Sequence, residues 1–380
     1  MKKILLVILS FCMIFNIALA SETSEDAILK KQIAQMLIVG FNGSTLTKDN
    51  PIYTDIKDLG IGGVILFSRN ADKTQTKLQK NIQNFNQLKK LNEDLQNISE
   101  IPLFISIDQE GGFVSRLSPS YFVVSTYSAG FLGQKNDLKF TRAEAEKTAK
   151  TLSQLGININ FAPVVDLDLN KNSKIISGLK RSYSSNPKIV SAHAKEVILA
   201  HNKYGIITTL KHFPGHGSAQ GDTHQGFVDI TNTHTKEEIL PYKTLINEKI
   251  AKGVMISHLY NKNIDENYPA SMSYNFVTKK LIKELNFDGL IFTDDIQMDA
   301  IRDNYNFSEA LEKAIMAGCD VIVIGNNLFN DKEVTKNAVE IIFDLVKNGV
   351  IPKERIAFSY DKIIKAKEEL KKIENANRED

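Results

Sequence analysis

The 380-residue chain has no tryptophan, only two cysteines and nine prolines, and its formal charge at neutral pH is only +2. Each scarcity excludes something. Lys and Arg total 47 against 45 Asp and Glu, spread along the chain, so no basic stripe marks a nucleic-acid surface. Cys12 sits in an apolar N-terminal stretch and Cys319 stands alone beside a distant apolar run. No disulfide framework is implied, and a chain of this length builds its core without one. Cys319 reads as a small buried hydrophobe. There is no low-complexity linker and no repeat of fixed period. No Walker A motif occurs, and Gly60–Gly63 is too short for a dinucleotide fingerprint, so no cofactor is implied. The one long apolar run, Ile4 to Ile17, falls short of the about 20 residues that a membrane span needs.

That run belongs to a recognisable N-terminal pattern. Met1-Lys2-Lys3 is basic, the apolar stretch follows, and Ala18-Leu19-Ala20 precedes a polar segment. The pattern predicts a signal peptide over residues 1–20, export to a periplasmic location and a remaining domain over residues 21–380. An uncleaved inner-membrane anchor is the alternative. Lipidation at Cys12 is disfavoured by the bulky Phe11 before it.

Short apolar, β-branched runs then recur along the chain. They are Gln35–Phe41, Gly63–Phe67, Leu103–Asp108, Ile157–Val165, Ile206–His212, Val254–His258, Leu290–Asp294 and Asp320–Gly325. Near-continuous apolar runs are what parallel strands buried on both faces require. Helix-like stretches separate most of them, at 72–97, 139–155, 187–203, 236–251, 275–285 and 306–317. The lysine- and asparagine-rich segment 79–98 lacks Gly and Pro and reads as one surface helix. Eight strands alternating with helices predict an α/β fold, a single (β/α)₈ barrel of the TIM type. Segments 332–348 and 352–373 are amphipathic and are expected to pack outside it.

A barrel of this kind carries its chemistry at the C-terminal ends of its strands. Polar residues stand there with regularity: Asp108, Asp166, Lys211 with His212, His258, and Asp294 with Asp295. Asp166 and His258 also fit a supporting role beneath a site. The densest cluster is Lys211-His212-Phe213-Pro214-Gly215-His216-Gly217, followed by Asp222-Thr223-His224. A metal site is one reading of three histidines, but Pro214 and Gly215 break any helix that would align the first two. A merely solvated loop is the plainest reading. Acid–base chemistry is the third: Asp222 and His224 are two residues apart, so an extended segment would point both to one side. A carboxylate beside an imidazole fixes its tautomer and stabilises its charged form.

These residues resemble glycoside hydrolase family 3, in its single-domain β-N-acetylhexosaminidase branch. The resemblance rests on the 211–224 cluster and on further segments in family order. They are Gly62–Phe67 with Arg69-Asn70, Ile107-Asp108-Gln109-Glu110-Gly111-Gly112, Asn160–Asp166, Arg181-Ser182-Tyr183, Met255–His258, Pro269-Ala270-Ser271 and Phe292–Asp295. Side-chain alternation leaves open whether Asp294 or Asp295 faces the barrel axis; the resemblance implies Asp294 as nucleophile. It implies His224 with Asp222 as the acid/base pair, and Asp108, Arg116, Arg181, Lys211 and His212 as sugar contacts. No metal or cofactor is implied. In two places the chain departs from the family pattern: Phe113 stands where Arg is usual, and Ser218–Gly221 replaces an acidic loop start.

The expected activity is exo-acting, retaining removal of terminal N-acetylglucosamine from a small glycan such as a peptidoglycan fragment. A broader β-glycosidase or a phosphorylase is the enzymatic alternative. A sugar-binding cell-wall protein is the non-enzymatic one, for which Asp222, His224 and Asp294 together would have no use.

Overall fold

The computed structural model describes residues 23–71 and 80–379, with only the helical backbone beyond residue 373. The expected signal peptide lies outside the described residues. Ten strands form among those described: β1 Leu37–Gly40, β2 Gly63–Leu66, β3 Phe104–Ile107, β4 Ile159–Asn160, β5 Ile207–Phe213, β6 Val228–Asp229, β7 Gly253–Ile256, β8 Leu259–Tyr260, β9 Leu290–Thr293 and β10 Ile322–Ile324. Eight of them make one sheet in the order β10-β1-β2-β3-β4-β5-β7-β9. Every pairing in it is parallel. A parallel bridge between Phe292 and Val321 joins the two ends of the sheet and closes the barrel. All eight apolar runs thus supply strands, buried on both faces as their composition required. Inside, Phe161 meets Phe292 edge to face at 5.5 Å between ring centres. The remaining two strands, β6 and β8, pair beside the barrel over a small apolar cluster of Ala219, Val228, Ile230 and Leu259.

Helices wrap the outside. Leu138–Gln154 and Pro187–Lys203 pack against each other, each started by a side-chain cap, from Asp137 and Asn186. Val334–Lys347 and Lys353–Glu379 pack outside the barrel as expected. The region after residue 50 is irregular: Pro51–Thr54 is one α-turn that widens into a π-turn over Asp55–Leu59.

The structure corrects four sequence expectations. Gln35 ends a helix, Ser24–Gln35, rather than opening a strand. Thr23 caps that helix by accepting from the Asp26 amide, and Leu29, Ile33 and Ala34 bury its inner face. The fourth strand is only two residues long, because Pro163 has no N–H to give the ladder and pairing resumes only at Val164 with Lys211. The helix expected over 72–97 is found only at Phe85–Ile98. Residues 72–79 lie outside the described residues, and 80–84 are not helical. There Asn81 accepts from the Phe67 amide and donates to the carbonyls of Phe41 and Gly43, so its side chain ties loops together. Asn84 then caps the real helix start. Finally, 236–251 divides into a 3₁₀ turn at Lys236–Ile239 and a helix at Leu240–Asn247.

One cation closes the floor of the barrel, at the N-terminal ends of the strands. Lys367 projects from the last helix, is only 4% exposed, and lies 4.8 Å from the centre of the Phe104 ring. Its ammonium donates to Gln35 Oε1 at 2.7 Å and to the Gly62 carbonyl at 2.8 Å, both uncharged. Burial without a carboxylate holds its pKa down to about 7. A lysine depressed on folding destabilises the folded state fully below pH 7 and not at all above its ordinary 10.5. Stability contributed by this site therefore rises with pH across that window. Replacing Lys367 with Met should remove the rise, seen as a flatter dependence of Tm on pH than the native chain shows. An identical pH slope in both proteins would place Lys367 in a solvated position.

Candidate active site

The ends of β3, β5 and β9 and the loops beyond them enclose a cleft of about 1060 Å³. All eight residues singled out in the sequence, Asp108, Arg116, Arg181, Lys211, His212, Asp222, His224 and Asp294, line it.

Its floor is an ion network. Asp108 follows β3 and Lys211 lies within β5, and the two side chains meet at 2.7 Å. Lys211 also reaches Glu110 at 2.7 Å. Glu110 in turn accepts a bidentate pair from Arg181, at 2.8 and 2.7 Å. Arg116 donates to the other oxygen of Asp108 at 3.2 Å. Burial would raise both carboxyls, but the flanking cations outweigh it and hold Asp108 and Glu110 below the usual carboxylate range. Lys211 has three donors and spends two on these carboxylates, leaving one for a ligand. Glu110 is the member that sequence reasoning missed. Its signal was available: two residues beyond a strand-end aspartate, it emerges on the same side as Asp108.

Beside this network, His212 is held at both ring nitrogens. Nε2 accepts from Arg181 at 3.2 Å, so Nδ1 carries the hydrogen donated to Asp166 at 2.7 Å. Asp166 is fully buried and also accepts from the amides of His212 and His216, at 3.1 and 2.7 Å. Burial works to raise its carboxyl, and the two imidazoles and those amides hold it low. His216 is buried with no hydrogen-bond partner among the described residues for either ring nitrogen, and burial pushes its pKa down to about 4.

Asp294 stands one residue past β9, its amide donating to the Ile256 carbonyl of the neighbouring strand at 2.9 Å. Burial acts to raise its carboxyl; the imidazoles of His258, His212 and His224 and the Asp295 amide prevail and hold it at about 2. Asp295 points elsewhere. Its Oδ1 accepts from the amides of Gly325 and Gln297, at 2.8 and 3.1 Å, which pins the turn after β9 to the end of β10. A Cβ on residue 325 would lie 2.1 Å from Asp295 Oδ2, so this approach needs glycine. Desolvation lifts the Asp295 carboxyl to about 6. His258 is tied down by Ser271 Oγ at 2.8 Å and the Asp295 carbonyl at 2.9 Å.

Asp222 and His224 pair, but not as an extended segment would pair them. Residues Thr223–Gln225 form a single 3₁₀ turn capped by Asp222. The same carboxylate oxygen accepts from the His224 amide at 2.9 Å and contacts its Nδ1 at 2.8 Å. Turn chemistry, rather than strand alternation, brings the imidazole to the carboxylate. Burial lowers the His224 pKa, but the Asp222 hydrogen bond and the charges of Asp294 and Asp222 raise it above its usual value. The Asp222 carboxyl is held low by the imidazole in return, against the cost of burial. The His224 side chain is 54% exposed, at the outer side of the cleft.

The loop carrying this pair is fixed at its base and open at its tip. Glu238, fully buried, accepts from the Gly217 and Ser218 amides at 2.9 and 3.2 Å and from Ser218 Oγ at 2.6 Å. Asn170 donates to the Ala219 carbonyl at 2.8 Å. Gln220, Gly221, His224 and Gln225 are exposed. Among the described residues no three His, Cys, Asp or Glu side chains converge as a metal site, and no helix is long and apolar enough to cross a membrane.

Comparison with known proteins bears on this geometry. The chain is 30% identical over 333 residues to beta-hexosaminidase A of Pseudoalteromonas piscicida, covering 82% of this chain but only 54% of that protein. It is 35% identical over 276 residues to the beta-hexosaminidase of Shewanella frigidimarina, covering 70% of this chain and 75% of the relative. Among solved structures, a glycoside hydrolase family 3 β-N-acetylglucosaminidase from Paenibacillus sp. str. FPU-7 superposes with a TM-score of 0.80 at 30% identity, over 90% of this chain and 62% of that one. M. tuberculosis LpqI superposes with a TM-score of 0.75 at 27% identity, over 91% of this chain and 97% of that one. The sequence model of the glycosyl hydrolase family 3 N-terminal domain matches residues 28–366, and the chain belongs to that family.

Proposed function

We propose that this chain is an exo-acting, retaining β-N-acetylhexosaminidase that releases terminal N-acetylglucosamine from peptidoglycan fragments. The observation that carries the reading is one cleft holding a carboxylate kept ionised, Asp294, together with a histidine–aspartate pair at its outer side. Relatives named as hexosaminidases and as a β-N-acetylglucosaminidase support the substrate class.

In this mechanism the Asp294 carboxylate attacks the anomeric carbon while His224 gives its proton to the departing glycosidic oxygen. The C–O bond to the leaving group breaks and a glycosyl ester to Asp294 forms. His224, now neutral, takes a proton from water, whose oxygen attacks the anomeric carbon and frees Asp294. Asp222 keeps the imidazole oriented and stabilises its charged form. A neutral imidazole as proton-transfer group avoids burying a second anion beside Asp294. Asp108, Arg116, Arg181, Lys211 and His212 hold the sugar hydroxyls. Hydrolysis of an N-acetylglucosaminide, compared with a glucoside and measured with and without phosphate, separates this activity from a broad glycosidase, a phosphorylase and a non-enzymatic sugar binder. We propose export as well, supported by the basic start, the apolar run and Ala18-Leu19-Ala20. The exported protein should then begin at Ser21 on N-terminal sequencing; a membrane-bound form that keeps Met1 would contradict this.

Asp294→Ala should lower turnover by roughly 10³-fold or more with Tm unchanged. Its side chain faces an open cleft, so the core does not need it. Near-native turnover in this variant, with loss in Asp295→Ala instead, would move the nucleophile by one residue.

The pair predicts a dependence on leaving group and on pH. An acidic phenol departs without a proton, whereas a sugar alcohol does not. His224→Ala should lose about 100-fold more activity on a disaccharide than on a nitrophenyl glycoside, and Asp222→Asn should follow the same trend more mildly. Because His224 must be protonated to act and its pKa is raised, the alkaline limb of native kcat/KM should have its midpoint above the 6.5 of an ordinary imidazole. Asp222→Asn removes a raising influence, so that limb should shift to lower pH. Equal losses on both substrates would assign His224 to positioning alone.

A further inference from the structure

The turn after β3 holds an apolar side chain out into the cleft. Phe113 is 70% exposed and Tyr121, a few residues on, is 62% exposed; both line the same cleft as Asp294 and His224. Exposed aromatics are common at random surface positions, but this pair is mounted rigidly. Gly111 and Val114 bridge each other, with Gly111 N–H donating to Val114 O at 3.1 Å, so Gly112 and Phe113 form the tip of a tight turn. Gly111 and Gly112 have φ of +96° and +58°, and a Cβ on either would lie 2.6 Å from the Tyr127–Ser128 segment beneath. Glu110, just before the turn, is bolted to Arg181 and Lys211. Gln109 Oε1 accepts from the amides of Arg116 and Leu117, at 3.0 Å each, which fixes the far side of the turn. Tyr121 stands next to Phe122, which is buried against Phe85 with ring centres 6.4 Å apart.

The cleft thus has two chemistries. Its floor is charged and suits hydroxyls, while one wall carries the exposed aromatic surface of Phe113 and Tyr121. Its volume, about 1060 Å³, lies just above the roughly 300–1,000 Å³ that enclose a drug-sized ligand, and exceeds what one pyranose fills. A pyranose has an apolar face of axial C–H groups, and an aromatic ring is a large, rigid partner for such a face. We infer that Phe113 and Tyr121 form the binding subsite for the leaving-group sugar, on which its ring stacks while the terminal sugar occupies the charged floor. This rests on the proposed glycosidase reading and assigns the part of the substrate beyond the scissile bond. The preferred substrates are therefore those whose leaving group is itself a pyranose.

The test compares two substrates with the same terminal sugar: a β-1,4-linked N-acetylglucosamine disaccharide and β-N-acetylglucosaminyl fluoride, whose leaving group has no ring. Phe113→Ala should lower kcat/KM on the disaccharide by about tenfold and leave the fluoride within about twofold, since stacking on one aromatic ring accounts for roughly that factor. Tyr121→Ala should act in the same direction, and Phe113→Trp should restore disaccharide activity. Equal effects on both substrates, or none on either, would overturn the subsite while leaving the hydrolase reading intact. Failure of the native protein to cleave either substrate would instead overturn the hydrolase reading on which the subsite rests. Light scattering on the same proteins adds one further arm: a native dimer that Phe113→Ala dissociates would assign the aromatic wall to a second copy of the chain and sink the inference.

Discussion

The contact between Lys211 and two carboxylates, Asp108 and Glu110, organises everything else at the catalytic end of the barrel. It joins β5 to the segment after β3, and through Glu110 it captures Arg181 from the long connection after β4. Such a buried network adds little net stability over an apolar packing of the same volume, whereas losing one member costs about 3–5 kcal/mol because a charge is left stranded. Its role here is geometric. Lys211, Arg181 and Arg116 are fixed by one another's carboxylate partners, so under the proposed function a sugar would meet donors that need no reordering. The same network orients His212, whose Nε2 faces Arg181 and whose Nδ1 faces Asp166.

Around that floor the two aspartates after β9 divide the work by environment. Asp294 looks into the cleft among three imidazoles and stays ionised. Asp295, one residue on, turns into the wall and binds the backbone of the next strand. Adjacent residues of one type thus acquire opposite tendencies, one held near pH 2 and the other lifted to about 6, purely through what surrounds each.

Much of this was legible in the sequence because burial leaves a pattern. Parallel strands covered on both sides must be apolar throughout, so the eight runs announced themselves, and Asp108, Lys211 and Asp294 stood out where those runs ended. What escaped was whatever depends on local hydrogen bonding rather than on periodicity. The helix Ser24–Gln35 opens with a polar turn and its start is set by the Thr23 cap. Asn81 looked like part of a solvated helix, yet its amide is spent on three loop backbones. Asp222 and His224 were correctly coupled but for the wrong reason, since an aspartate-capped turn joins them. Glu110 carried no periodic signature at all; only its spacing from Asp108 hinted at a shared face.

The exposure of His224 has a consequence for the supply of protons. A general acid sealed inside a protein needs a wire of side chains or ordered water to equilibrate its proton with the medium. With 54% of its side chain open to solvent, His224 exchanges directly with bulk water and buffer. In the proposed cycle the attacking water returns the proton that His224 gave away, and contact with the medium sets the protonation of the free ring between turnovers. The interior then needs no relay, and the buried imidazoles of His216 and His258 are free of that duty.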